Sequence, residues 1–221
     1  MTVIPNADTL WDTRQITPLI DALVEQGWYV GEHFIAPALC RALSQDVDSL
    51  QTREGLHEAG IGRGGEHTLR RDIRGDAIHW LDRESLAQRR YLALMGELQQ
   101  QINIALYLGL FEFEAHFAHY PPGAFYRKHY DSFRGRANRV ISTVLYLNPD
   151  WPVDGGGEMA LYDAEETERE VARAHPEAGT FACFLSDRIP HEVLPTRLPR
   201  TSIAGWFRRN ASLGGVIDPA R

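Results

Sequence analysis

Apolar residues recur every three or four positions through the first half of the chain and every second position through the later half. Leu19, Ile20, Leu23 and Val24 form a helical stripe that Gly27 ends, and Thr17-Pro18 reads as its N-cap and first helical residue. Trp28-Tyr29-Val30 reads as a short strand. Pro37 opens a second helix whose stripe is Leu39, Leu43, Val47 and Leu50. A third, longer helix is predicted over roughly 82–108 from Leu94, Met95, Leu98, Ile102, Ala105 and Leu106, with Gly109 as its stop. From Phe111 the period changes: Phe111, Phe113, Ala115 and Phe117 alternate with Glu112, Glu114 and His116. Strands are then predicted at 124–131, 138–147, 157–162, 168–173, 179–185, 191–194 and 200–208, separated by Pro, Gly, Asn and Asp turns. Helices first and strands later describe an α+β domain, a sandwich or barrel with helices against one face of its sheet.

Residues 55–76 break both periods. Gly55, Gly60, Gly62, Gly64, Gly65 and Gly75 alternate with Arg63, Arg70, Arg71 and Arg74, which predicts a long, mobile, basic loop. A plain surface insertion and a lid over a substrate are equal readings of such a segment. No repeat or linker divides the chain, so 1–221 is expected to be one domain: mainly helical support over 1–110 with the loop 55–76, a β core over 111–209 and a tail over 210–221.

Composition narrows the function. The formal charge is −7, from 30 acidic and 23 basic residues, which disfavours a nucleic-acid backbone as partner. Cys40 and Cys183 form no C-x-x-C pair and read as buried, reduced thiols. Met1 to Arg14 has no basic n-region followed by an apolar run, and no apolar stretch approaches a membrane span. A cytoplasmic monomer is the default expectation.

The chemistry gathers at His129-x-Asp131. Two residues apart on a strand share a face, so an imidazole and a carboxylate can supply two corners of a metal site. With His191 as third ligand the set is two His and one carboxylate, the facial triad of non-haem Fe(II) oxygenases. Taken alone, His-x-Asp is a weak motif and more often marks a histidine that packs or hydrogen-bonds on a strand. Arg200 follows His191 by nine residues and opens an apolar strand on which Arg200, Ser202, Ala204 and Trp206 share one face. An inward arginine needs an anion, either a protein carboxylate or one end of a bound dicarboxylate, and Ser202 can add a hydroxyl.

These residues carry a resemblance. Arg74-Gly75-Asp76 with Trp80, Tyr120-Pro121, Tyr126-x-x-His129-x-Asp131, Arg139 ahead of Tyr146-Leu147-Asn148, Gly156-Gly157, Ser186-Asp187-Arg188 leading to His191, and Arg200 leading to Trp206 resemble the prolyl 4-hydroxylase group of 2-oxoglutarate- and Fe(II)-dependent oxygenases. The hypoxia-inducible-factor prolyl hydroxylases and their bacterial relatives are the more similar members, over roughly 60–208. The resemblance implies a double-stranded β-helix, or jelly-roll, core buttressed by the N-terminal helices. It implies His129, Asp131 and His191 as catalytic iron ligands. Arg200 and Tyr146 would bind the distal carboxylate of 2-oxoglutarate, with Ser202 in place of the hydroxyl that those enzymes carry at the position of Ala204. Asp76 and Trp80 would shape the lid and entrance, and Tyr126, Arg139 and Trp206 would line the substrate side. Fe(II), 2-oxoglutarate and dioxygen are the implied cofactors, with ascorbate as an auxiliary reductant. The implied partner is a protein carrying a target proline, elongation factor Tu being the candidate. Another substrate for the same iron chemistry, nucleic acid or small molecule, and a non-catalytic jelly-roll binding module are the alternatives. Strict alternation puts Tyr126 on the face opposite His129, so Tyr126 reaches the site only across a β-bulge.

Overall fold

The computed structural model describes residues 11–59, 72–132 and 138–209. Most of the basic loop predicted over 55–76, with Arg63, Arg70 and Arg71, lies outside the described residues, as does the tail 210–221.

Three helices come early, α1 (Thr13–Glu25), α2 (Pro37–Thr52) and α3 (Leu86–Leu106). Pro37 stands at the start of α2, where its missing N–H costs no helical hydrogen bond. Ser85 caps α3 by accepting from the Gln88 N–H, and Tyr107 closes it in the left-handed conformation. The start of α1 corrects the reading of Thr17-Pro18. Asp12 is the N-cap, its carboxylate accepting from the Arg14 N–H at 2.9 Å, and Pro18 lies inside the helix. The helix accepts a proline one turn in because the apolar stripe beyond it, Leu19 and Leu23, is buried in the core.

Two antiparallel sheets face each other. The larger has the order β1-β9-β6-β11-β4-β3-β2, built from β1 (Trp28–Gly31), β9 (Phe181–Leu185), β6 (Arg139–Tyr146), β11 (Arg200–Arg208), β4 (Glu112–Tyr120), β3 (Ala77–Trp80) and β2 (His57–Glu58). The smaller runs β5-β10-β7-β8, from β5 (Tyr126–His129), β10 (His191–Val193), β7 (Met159–Tyr162) and β8 (Glu170–Ala174). This is the jelly-roll arrangement, with short strands from the helical half added to both edges of the larger sheet. The charged strand β8 forms one edge of the smaller sheet.

Alternation sorts the larger sheet into two buried faces. Phe117, Ile141, Leu145, Phe181, Cys183, Ile203 and Phe207 pack in one cluster with Leu19, Leu43, Met95, Leu98 and Ile102 of the helices. Residues of the opposite parity point between the sheets, where Tyr146, Ala182 and Phe184 meet Met159, Leu161 and Ile189. Both cysteines are free and buried, as expected. Among the described residues no helix is long and apolar enough to cross a membrane.

Two bulges change which side chains enter the space between the sheets. His191 pairs with His129 and Val193 with Tyr126, so β5 advances three residues while β10 advances two. On β6, Phe207 pairs with Ile141 and Arg208 with Arg139, which leaves one extra residue on β6. Each extra residue reverses the parity beyond it. Tyr126 is thereby brought to the side of His129, and Arg139 to the inner face.

Candidate active site

His129 ends β5 and His191 begins β10, its cross-strand partner. Asp131 lies just beyond β5 rather than on it, so it joins the histidines through the bend after the strand, not through strand parity. One ligand atom from each of the three lies within 4.8 Å of the others. The Nε2 atoms of both histidines are 3.6 Å from Asp131 carboxylate oxygens.

The outer partners fit this donor set to a metal. His129 Nδ1 donates to the Arg127 carbonyl at 2.7 Å, and His191 Nδ1 donates to the Ile189 carbonyl at 3.2 Å. Both tautomers are fixed so that the Nε2 lone pairs face Asp131. Burial pushes the His191 imidazole down to about 4, with His129 adding to the effect, so it is neutral and ready to ligate. Burial opposes ionisation of Asp131, but His191 and His129 outweigh it and hold its carboxyl well below the usual range. The Ser142 hydroxyl donates to Asp131 at 2.6 Å, and Ser186 lies 2.9 Å from Ser142. With the Ser142 proton directed to Asp131, Ser186 is the donor in that second bond. Two histidines and one ionised carboxylate, oriented by outer-layer hydrogen bonds, fit a divalent iron with open coordination positions.

Across the space between the sheets, on β11 of the larger sheet, lies Arg200, 1% exposed. Its Nε donates to the Gly157 carbonyl at 2.8 Å and its Nη1 to Ser202 Oγ at 3.2 Å. The rings of Tyr120 and Tyr146 flank its guanidinium at 4.7 and 4.8 Å. Among the described residues no carboxylate pairs with it and the buried Tyr146 hydroxyl has no hydrogen-bond partner. A buried cation without an anion and an orphaned hydroxyl beside it fit one carboxylate of a small bound acid. Glycine is required here: Gly157 has φ +72°, and a Cβ would stand 3.0 Å from both Arg200 Cδ and Thr196.

The remaining predicted residues form a wall beside the metal cluster. Trp206 pairs across strands with Ser142 on one side and Glu114 on the other, so it is one strand from the serine that holds Asp131. The Arg139 guanidinium lies over the Trp206 ring at 3.6 Å. Trp80 meets His116 edge-on, and His116 contacts Trp206. Tyr126 stacks on His129 with 3.7 Å between ring centroids. Asp76 is buried and held by Arg74 through bonds of 2.5 and 2.8 Å, with Arg74 lying over Tyr126.

Sequence reasoning missed Ser142, Ser186, Glu114 and His116. Ser142, Glu114 and His116 have inward parity, but only pairing across the sheet reveals what each touches. His116 is paired with no metal ligand; burial pushes its imidazole down to about 4, so it stays neutral in the wall.

Residues 115–208 match the family described as the 2OG-Fe(II) oxygenase superfamily. A prolyl-4-hydroxylase from Pseudomonas putida is 40% identical, with a TM-score of 0.81 over 88% of this chain and 100% of its own. A prolyl hydroxylase from Trichoplax adhaerens, solved with a hypoxia inducible factor oxygen degradation domain peptide fragment, is 27% identical, with a TM-score of 0.78 over 88% of this chain and 89% of its own. An uncharacterised PKHD-type hydroxylase from Synechocystis is 28% identical over 147 residues, covering 60% of this chain; the match spans about half, 46%, of that relative's length. Members of this family use Fe(II), 2-oxoglutarate and dioxygen, and a His129-Asp131-His191 cluster is present in this chain. With the motifs, the jelly roll and the metal cluster all in agreement, the chain belongs to the 2OG-Fe(II) oxygenase superfamily, among its prolyl-4-hydroxylase-like members.

Proposed function

We propose that the protein hydroxylates a prolyl residue of a protein substrate, with elongation factor Tu as the candidate. The observation that carries this reading is the placement of an open His-Asp-His cluster and a buried Arg200, lacking a carboxylate partner among the described residues, between the two sheets of the jelly roll. His129, Asp131 and His191 would hold Fe(II). Arg200 would pair with the distal carboxylate of 2-oxoglutarate, and the Tyr146 hydroxyl would donate to the same group. Ser202 keeps the guanidinium in place. Bound together with dioxygen, these groups supply an oxidative decarboxylation that yields succinate and carbon dioxide and puts one oxygen atom into a C–H bond of the substrate.

The chain's own residues then have three tasks. Ser142 and the two backbone carbonyls on the histidines keep the ligand lone pairs converged. Phe184, whose ring lies 4.6 Å from that of His191, and Ile189 exclude water on the inner side. Tyr126, Arg139, Trp206 and Trp80 would line the substrate side, and Asp76, fixed by Arg74, would anchor the entrance.

Two observations support a protein over a nucleic acid. Among the described residues, three arginines of the proposed substrate side are matched by carboxylates, Arg74 by Asp76, Arg139 by Glu114 and Arg208 by Glu112 and Glu114, so these three add no unbalanced positive charge there. The similar Trichoplax enzyme was solved with a peptide. The choice of elongation factor Tu rests on the resemblance of the motifs to the bacterial relatives alone. Succinate formation from 2-oxoglutarate, measured with and without purified elongation factor Tu, tests the reading. Stimulation by that protein is expected; equal succinate in its absence argues for another substrate.

A further inference from the structure

Four charged residues sit on the inner face of the larger sheet where an apolar wall would have sufficed. Glu114 is 4% exposed at its side chain and Arg208 2%. Glu114 Oε1 accepts from Arg139 Nε and is 2.8 Å from Arg139 Nη2. Its Oε2 accepts from Arg208 Nη1 at 3.0 Å, and the same Nη1 is 3.0 Å from Glu112. The result is a chain, Glu112–Arg208–Glu114–Arg139, whose Arg139 guanidinium lies over the Trp206 ring at 3.6 Å.

Stability does not explain such a chain. Two charges removed from water lose about as much in solvation as they regain by pairing, and apolar residues of similar volume are commonly as stable or more so. What the chain does supply is geometry. A lone arginine has many rotamers, and its aliphatic stem leaves the head free to swing. Here one carboxylate oxygen receives two N–H groups of Arg139, which fixes the plane of the guanidinium. The Trp206 face below fixes its height. The second carboxylate oxygen is held by Arg208, so Glu114 itself cannot rotate away. Glu114 pairs across strands with Trp206, and Trp206 with Ser142, the donor to Asp131. The held guanidinium is therefore referenced to the metal cluster by one row of cross-strand neighbours.

We infer that Glu114, backed by Arg208, is a positioning residue: it locks Arg139 across Trp206 and so sets the wall against which the protein substrate docks. The substrate part of this rests on the proposed prolyl hydroxylase reading; the locking of Arg139 does not.

The test uses the full chain loaded with Fe(II) and 2-oxoglutarate. Glu114→Gln keeps the shape and an acceptor but removes the charge; Glu114→Asp keeps the charge and serves where the glutamine variant does not fold. Three readouts are taken: KM and kcat for elongation factor Tu, affinity for 2-oxoglutarate, and the rate at which phenylglyoxal modifies Arg139, mapped by mass spectrometry. Expected for Glu114→Gln are a rise of about ten-fold in KM for elongation factor Tu, 2-oxoglutarate affinity within about two-fold of wild type, and Arg139 labelled at least about five times faster. The double variant with Arg139→Gln is expected to be no worse than Arg139→Gln alone, because Glu114 acts through Arg139. Unchanged labelling together with additive kinetic losses, or a parallel loss of 2-oxoglutarate affinity and melting temperature, overturns the positioning role. The labelling needs no substrate, so it decides that role even where wild-type protein leaves elongation factor Tu unoxidised, the outcome that sinks only the prolyl reading.

Discussion

Tyr126 and His129 stack with their ring centroids 3.7 Å apart and their planes 19° from parallel, although an odd spacing on a regular strand would set them on opposite faces. The bulge between β5 and β10 makes the contact possible. It has a consequence for the metal. A ring packed on the imidazole, with Nδ1 tied to the Arg127 carbonyl, leaves His129 one orientation. Replacing Tyr126 with leucine is expected to cost three- to ten-fold in Fe(II) affinity while leaving the melting temperature of the metal-free protein within a few degrees. Metal titration followed by tryptophan quenching measures the first and calorimetry the second.

Ser142 is the outer-layer group of the cluster most open to a clean test. Ser142→Ala removes the 2.6 Å hydrogen bond to Asp131 and leaves Ser186 without its acceptor. Losses of this kind typically weaken metal binding by roughly 10–100-fold. The expected result is iron affinity reduced within that range, with 2-oxoglutarate binding to the iron-loaded protein retained. Anaerobic iron titration checks it; unchanged affinity would mean that Asp131 is oriented by the histidines alone.

Arg200 makes an unusual stability prediction. Its pocket holds a cation without a carboxylate partner, so replacing it with methionine is expected to change metal-free stability by no more than about 1 kcal/mol, the lost tyrosine contacts being offset by relief of the buried charge. The same change should abolish the rise in melting temperature produced by 2-oxoglutarate and raise its KM at least about 100-fold. Gly157→Ala tests the neighbouring backbone: with φ +72° and a Cβ 3.0 Å from Arg200 Cδ, it should cost about 1–3 kcal/mol and raise the same KM.

His116 predicts a pH dependence. Its pKa falls from 6.5 in the unfolded chain to about 4 in the folded protein, chiefly through burial. Between those values the unfolded state binds a proton that the folded state does not, so stability rises with pH across the window and is lost as the pH drops from 6.5 toward 4. A shift of that size corresponds to roughly 3 kcal/mol. His191 titrates in the same direction in the metal-free protein, also toward about 4. Denaturant unfolding of the metal-free protein from pH 7 to 4 should show this slope, and His116→Phe should remove about half of it. A slope that His116→Phe leaves intact would contradict the burial of a neutral imidazole there.

The periodicities that predict the fold are those with strong local causes. The stripes of α2 and α3 and the run of strands from β4 to β11 follow from burial of one side of each element, and the elements lie close to where the spacing puts them. His129, Asp131, His191 and Arg200 were legible because few residue types can perform their chemistry and because Arg200, Ser202 and Trp206 keep strict parity. Three kinds of feature were not. Asp12 caps α1 because the helix continues through Pro18, which local rules treat as a start. Arg139 and Tyr126 reach the site through bulges, and a bulge is one extra residue with no signature of its own in a single sequence. Ser142, Ser186 and Glu114 act on partners 11 to 94 residues away, so their roles depend on register.

The central claim is that these residues direct oxygen to a proline. The most direct measurement is anaerobic reconstitution with Fe(II) and 2-oxoglutarate, followed by addition of oxygen in the presence of elongation factor Tu and peptide mapping by mass spectrometry. The expected result is a mass gain of one oxygen atom on a single proline, matched by one succinate per modification and absent from the Asp131→Ala protein. Succinate produced without oxygen on any proline, or an equal mass gain with Asp131→Ala, would contradict it.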